Sequence, residues 1–144
     1  MRRGARVRVR LGLAAIAIAT IAAACAPAAP RAPTGSARLT LNPASLNFPD
    51  GNSATMPNLS VTVTNTGGQS AQVLSVSTNN GIFSLPSDTC SGTSLAPGQS
   101  CMVTVQFCPG GAVQQFNANV AINTMIGGSP LTVTDPMSGM GVGP

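Results

Sequence analysis

The sequence lacks the residues on which most catalytic sites depend. Among its 144 residues there is no His, Trp or Tyr, and neither Lys nor Glu occurs. A general base that works near neutral pH is normally His, Glu, Asp or Lys in a tuned environment, and a Ser or Cys nucleophile needs such a base beside it. Only Asp50, Asp88 and Asp135 remain, and they are widely separated in the sequence. The sequence therefore predicts a protein that is not an enzyme and has no cofactor.

Positive charge is scarce after the first ten residues. Five of the seven arginines precede residue 11, and only Arg31 and Arg38 follow. If the chain is cut before Cys25, these two arginines and the three Asp residues leave a net charge of −1. Binding to a phosphate backbone requires clustered basic side chains, so nucleic acid is not expected as a partner. A small-molecule substrate is not expected either, because catalytic side chains are missing.

Aromatic residues are limited to four phenylalanines. Carbohydrate-binding modules usually rely on exposed aromatic platforms, so such a module is a disfavoured alternative. The phenylalanines fall at inward-alternating or strand-edge positions, which predicts that they pack in a core. They are Phe48, Phe83, Phe107 and Phe116.

The N-terminal segment has the three-part layout of a secretory signal: an arginine-rich start, an apolar stretch at 11–21 and small residues before Cys25. The run Ile-Ala-Ala-Ala-Cys at 21–25 resembles the bacterial lipobox, in which the Cys is acylated and becomes the new N-terminus. We predict a lipoprotein signal peptide at 1–24 and lipidation of Cys25. Cleavage without lipidation and an uncleaved membrane anchor are the open alternatives. Ala26 after this Cys favours the outer membrane, where the organism has one.

Residues 25–37 predict a linker rich in Pro and Ala. Pro27, Pro30 and Pro33 favour an extended polyproline-like backbone. A dozen such residues would hold the following domain roughly 30 to 40 Å from the lipid headgroups.

From residue 38 to residue 144 the sequence alternates between apolar and polar residues in short runs separated by turn residues. Leu59, Val61 and Val63 illustrate the alternation, which is typical of an antiparallel sheet with one buried face. Similar runs occur at 39–41, 46–48, 74–76, 82–85, 103–107, 116–122 and 131–133. These runs predict an all-β immunoglobulin-like antiparallel β-sandwich of about seven strands.

Three cysteines lie in this domain. Cys90 and Cys101 flank a loop that leads into a strand, and in an exported protein a disulfide between them would contribute about 3 kcal/mol. Pairing of either one with Cys108 is the alternative. With the first bridge formed, Cys108 is left over, either as a buried small hydrophobe or as a thiol that forms an intermolecular disulfide or serves as a redox handle. The spacing of the three does not fit a zinc site, so no metal site is predicted.

Three motifs carry a family resemblance: Pro-Ala-Ser-Leu-Asn-Phe at 43–48, Val-Thr-Val-Thr-Asn-Thr-Gly at 61–67, and Leu-Ala-Pro-Gly-Gln-Ser-Cys at 95–101 before an alternating strand. Together they resemble the bacterial choice-of-anchor D domain, a relative of the ASH and MSP-like immunoglobulin sandwiches. The resemblance covers about residues 39–141 and implies a structural or binding module without catalytic or ligand residues. Residues 135–141 depart from the family's closing pattern, which implies a looser last strand.

Taken together, these features predict a lipid-anchored module of the cell envelope that binds a protein partner through an edge strand or loop tips. One alternative is a periplasmic copper or redox protein that uses Cys108 with the thioethers of Met137 and Met140, and Met125 nearby.

Overall fold

The structure is a computed structural model that describes residues 35–143. The predicted signal peptide, Cys25 and the linker up to residue 34 lie outside the described residues. No helix in the described part of the chain is long and apolar enough to span a membrane. The strands in chain order are β1 Leu39–Asn42, β2 Leu46–Asn47, β3 Asn58–Asn65, β4 Ala71–Thr78, β5 Phe83–Asp88, β6 Ser94–Leu95, β7 Ser100–Phe107, β8 Gln115–Ile126 and β9 Ser129–Met140.

The strands form two sheets, in the orders β1-β3-β7-β5 and β2-β9-β8-β4-β6. All neighbours are antiparallel except β2 and β9, which are parallel. The predicted immunoglobulin-like all-β sandwich is therefore confirmed. The structure has nine strands where about seven were expected. Eight of them contain one of the alternating runs of the sequence, and the ninth, β6, has only two residues, too few to produce such a pattern.

The core lies between the sheets and follows the period of two along each strand. On β3, Val61 and Val63 are fully buried, whereas Ser60 faces outward and its hydroxyl lies 3.0 Å from that of Thr104 on β7. The four phenylalanines are buried, as expected, and their rings form one contiguous cluster. Its centroid distances are 5.5 Å for Phe48–Phe83, 5.8 Å for Phe48–Phe107, 5.1 Å for Phe83–Phe107 and 5.8 Å for Phe107–Phe116.

Strand β4 departs from simple alternation. Its register with β8 shifts between Val73 and Ser75, so Leu74 sits at a bulge and is 45 % exposed. A bulge inserts one residue and thereby reverses the faces on which the later residues of the strand lie. The apolar run that marks this strand in the sequence therefore does not lie wholly in the core.

The last two strands form a long hairpin. Gly127 and Gly128 have φ of 56° and 84°, the pair of positive values that a two-residue type I′ turn requires. Pairing then continues without a break from Ile126↔Ser129 to Gln115↔Met140. The expectation of a looser last strand is therefore wrong. Phe107 packs directly against the backbone of Gly139, where an added Cβ would lie 2.7 Å from a ring carbon.

Asn65 explains the Asn-Thr-Gly motif that ends β3. Its side chain is fully buried, and all of its polar capacity is used. The Nδ2 group donates to the carbonyls of Gln69 (2.7 Å) and Leu95 (2.8 Å), and Oδ1 accepts from the N–H of Gly67 (3.0 Å) and Arg38 (3.3 Å). This amide ties the start of β1 and the short β6 to the end of β3, because each buried backbone group needs a partner.

Candidate functional site

Of the three cysteines in the described residues, two form a disulfide and one is a free thiol. Cys90 and Cys101 form a disulfide with a Cα–Cα distance of 5.1 Å, which is the bridge that the sequence favoured. Cys108 is free and half-buried just after β7. Its Sγ lies 3.5 Å from Oε1 of Gln106 and 3.9 Å from the Ser84 hydroxyl. Neither of these two contacts in the described residues is a basic group.

The two thioethers of the copper alternative do not converge. Met137 points into the core and is 2 % exposed, whereas Met140, three residues along the same strand, points outward and is 40 % exposed. Side chains an odd number of residues apart on a strand lie on opposite faces. Within residues 35–143 there is also no group of three His, Cys, Asp or Glu side chains that could hold a metal ion.

The three Asp residues occupy separate elements. Asp50 follows β2, Asp88 ends β5 and Asp135 lies within β9. Asp88 closes a turn by accepting from the N–H of Cys90 (2.7 Å) and Ser91 (3.1 Å). Partial burial by itself raises the pKa of Asp88. These two hydrogen bonds and a third from the Ser91 hydroxyl together lower it by more, so the net pKa is below its usual value. The role of this carboxylate is structural.

Asp135 is the exception among the acidic residues. It points into the sandwich, is 1 % exposed, and its Oδ2 has no hydrogen-bond partner in the described part of the chain. Burial raises the pKa of Asp135 above its usual value, because desolvation disfavours the charged form. Val120 is directly opposite on β8. An inward-pointing acid near a sheet edge is one of the devices that discourage uncontrolled strand pairing.

The first half of β9 forms an open edge of the five-stranded sheet. Its even-numbered residues direct their N–H and C=O groups away from β8, as the bonds from Phe48 N to Ser138 O (2.8 Å) and from Gly51 N to Met140 O (3.0 Å) demonstrate. In the described residues, β2 pairs with β9 only at Met137 and Ser138. The backbone groups of Thr132 and Thr134 therefore face outward with no partner strand. We call residues 130–136 the open edge.

Proline marks both ends of the open edge. Pro130 and Pro136 occupy even-numbered positions, where the missing N–H costs no hydrogen bond to β8. Between them lie Thr132 and Thr134, which are exposed, and Leu131, whose side chain is 47 % exposed. The open edge thus offers two N–H and two C=O groups, plus the carbonyl of Pro130, to one short extended segment, whereas the carbonyl of Pro136 already faces β2. Two prolines six residues apart in an alternating run were the sequence signal for it.

A second feature is an uncharged groove on the outer face of the same sheet, with a volume of about 500 Å³. We call it the amide groove. It is lined by Ser45, Asn47, Asn79, Asn117, Ala118, Asn119, Pro136, Met137 and Ser138. Sequence reasoning missed it, because its residues come from β2, β8, β9 and the turn after β4.

Comparison with known proteins agrees with this architecture. A family model described as "HYDIN/CFA65/VesB-like, Ig-like domain" matches residues 37–134. Among solved structures, the VesB protease of Vibrio cholerae is similar with a TM-score of 0.58 at 20 % identity, over 71 % of this chain and 31 % of that one. The human CEP192 ASH/PapD-like domain 7 is similar with a TM-score of 0.59 at 10 % identity, over 87 % and 97 %.

A protein of unknown function from Porphyromonas gingivalis W83 has a TM-score of 0.54 at 18 % identity, over 79 % of this chain and 50 % of that one. The chain therefore spans about a third of the VesB chain and half of the Porphyromonas chain. No curated protein matches the sequence. At these identities the likeness concerns the fold alone.

The chain is thus an immunoglobulin-like β-sandwich. It belongs to the HYDIN/CFA65/VesB-like Ig-like domain family, whose model covers most of its length. Membership of this family indicates a structural or interaction module.

Proposed function

We propose that this protein is a lipid-anchored module of the bacterial cell envelope, of the choice-of-anchor D type, which binds a protein partner by accepting its extended segment at the open edge. The open edge itself carries the proposal. It is a run of unpaired backbone groups at the edge of the five-stranded sheet, with a proline at each end.

The chemistry of strand addition fits the open edge. Main-chain hydrogen bonds provide affinity, and pockets for alternate side chains provide specificity. An incoming strand would place its inward side chains beside Leu131 and Val133, which are exposed or half-buried. The prolines and the buried Asp135 limit the length of strand that pairs, which suits one short partner segment better than unlimited sheet extension.

The experiment on the edge compares two substitutions at Thr134, whose side chain faces outward and makes no hydrogen bond among the described residues. Thr134→Pro removes the outward N–H, whereas Thr134→Val keeps it. The full chain, carrying a photo-crosslinker at Thr132 and expressed in its native host, should capture the same protein in the wild type and Thr134→Val. Thr134→Pro should lose that product. Equal capture by all three would refute binding through the edge backbone.

The anchor is supported by the lipobox-like run before Cys25 and by the proline-rich linker behind it. Intact-mass measurement of protein from the native host tests it. The expected mass is that of a chain starting at Cys25 with acyl chains attached, and Cys25→Ser should release the protein from the membrane fraction. A mass that includes residues 1–24 would contradict this part of the proposal.

A further inference from the structure

The amide groove combines fixed polar groups with a complete absence of charge. None of the residues lining it is Asp or Arg, and four of its nine residues are Asn. Its volume of about 500 Å³ lies within the range of small-molecule sites. A groove without charge does not select an ion or a phosphate. The groove therefore suits a neutral ligand that is rich in hydrogen-bonding groups.

Part of the groove is fixed by internal hydrogen bonds. The Ser138 hydroxyl donates to Oδ1 of Asn47 at 3.0 Å, and Nδ2 of Asn47 donates to the Ser45 hydroxyl at 3.4 Å. Oδ1 of Asn79 accepts from the backbone N–H of Asn119 at 2.8 Å, which extends the ladder beyond the end of β4. These hydrogen bonds restrain the walls of the groove.

Two amides are left for a ligand. The side chains of Asn117 and Asn119 make no hydrogen bond within residues 35–143, and both point outward from the first half of β8. Two residues along a strand separate them by about 7 Å. Each amide offers two donors and one acceptor, so a group that both donates and accepts matches it best. Hydroxyl groups have that property.

Pro136 gives the groove a small apolar surface, since it is directly opposite Asn119 in the ladder. A sugar ring has the corresponding combination of hydroxyl edges and a C–H face. We infer that the amide groove is a binding site for a neutral oligosaccharide, held by the amides of Asn117 and Asn119 with Pro136 beneath the ring. Without an aromatic platform, binding is weak, with a dissociation constant on the order of 1 mM.

Titration of the ¹⁵N-labelled full chain, purified in detergent, with cellotriose and with triacetylchitotriose tests this inference. At least one sugar should shift the side-chain amide signals of Asn117 and Asn119 in a saturable way. The double variant Asn117→Ala, Asn119→Ala should bind about 10-fold more weakly, since two hydrogen bonds are lost. Asn58→Ala, an exposed asparagine on the other sheet, should bind like the wild type.

Three results would overturn the inference. The first is the absence of saturable shifts with either sugar up to tens of millimolar, well above the expected dissociation constant on the order of 1 mM. The second is unchanged affinity in a double variant whose backbone spectrum shows a folded domain. The third is an uncharged Ser/Asn/Gly hexapeptide that shifts the same signals more strongly than the sugars, which would assign the groove to a peptide.

Discussion

The two halves of β9 belong to one strand and have opposite roles. The second half, Met137 to Met140, is braced by β2 on one side and β8 on the other, and it packs its Gly139 backbone against Phe107. The first half pairs with β8 alone and leaves its other side open. Asp135 lies between them. Burial and pairing on both sides make a segment structural, whereas pairing on one side leaves backbone groups available for a partner.

We expect the second half of β9, called the braced half below, to tolerate few substitutions. Gly139→Ala adds a Cβ at 2.7 to 2.9 Å from three carbons of the buried Phe107 ring, which cannot move freely within the aromatic cluster. We expect a loss of about 3 kcal/mol of unfolding free energy, measured by urea denaturation. Gly81→Ala, where an added Cβ meets nothing within 4 Å, is the control and should cost far less. Equal costs would mean that the braced half is loosely packed.

Proline substitutions compare the two halves directly. Ser138→Pro removes an N–H that faces β2, whereas Thr134→Pro removes one that faces no strand in the described structure. We expect Ser138→Pro to lower the unfolding free energy by about 1 to 3 kcal/mol, because it leaves a buried acceptor unpaired. Thr134→Pro should lower it much less. Thermal or urea unfolding of both variants measures the difference. A similar cost at both positions would contradict the assignment of an open edge.

Asp135→Val probes the boundary between the halves. Replacing a buried, unpartnered carboxyl by an apolar side chain of similar size should raise the unfolding free energy by about 1 to 2 kcal/mol. If the acid also restrains the edge, the variant should self-associate more readily, which sedimentation velocity would detect. A loss of stability would instead indicate that the carboxyl has a partner.

The pH dependence of stability gives the smallest and most specific effect. Because burial raises the pKa of Asp135 in the folded state, its protonated form is favoured there, and the unfolded chain binds fewer protons. The stabilisation that Asp135 contributes to the folded state is complete below about pH 4, the pKa of an unfolded Asp, and is lost as pH rises through the folded-state pKa of Asp135. Asp88 has a lowered pKa and acts in the opposite sense, losing its contribution as pH falls.

The difference in unfolding free energy between Asp135→Asn and the wild type isolates the first of these effects. It should increase in favour of the variant as pH rises from about 4, the pKa of an unfolded Asp. A difference that does not change with pH would mean that Asp135 titrates normally in the folded state.

Much of the fold follows from local pattern. The alternation at Val61 and Val63, the burial of the four phenylalanines and the Cys90–Cys101 bridge could each be predicted, because period-two hydrophobicity selects the buried face and short loops bring nearby cysteines together. The exposed Leu74 was not predicted, since a bulge depends on the register with β8. The unbroken second half of β9 was not predicted either, because Gly139 reads as a strand breaker until Phe107 is placed against it.

By itself, the sequence determined the fold class, the core face of most strands and the scarcity of reactive groups, since these depend on residue identity and short spacings. Only the tertiary structure decided which strand edge stays open, that Asp135 is buried without a partner, and that asparagines from separate strands share one groove. The physical reason is that alternation specifies which way a side chain points, but the neighbour of a strand is chosen by contacts between residues far apart in the chain.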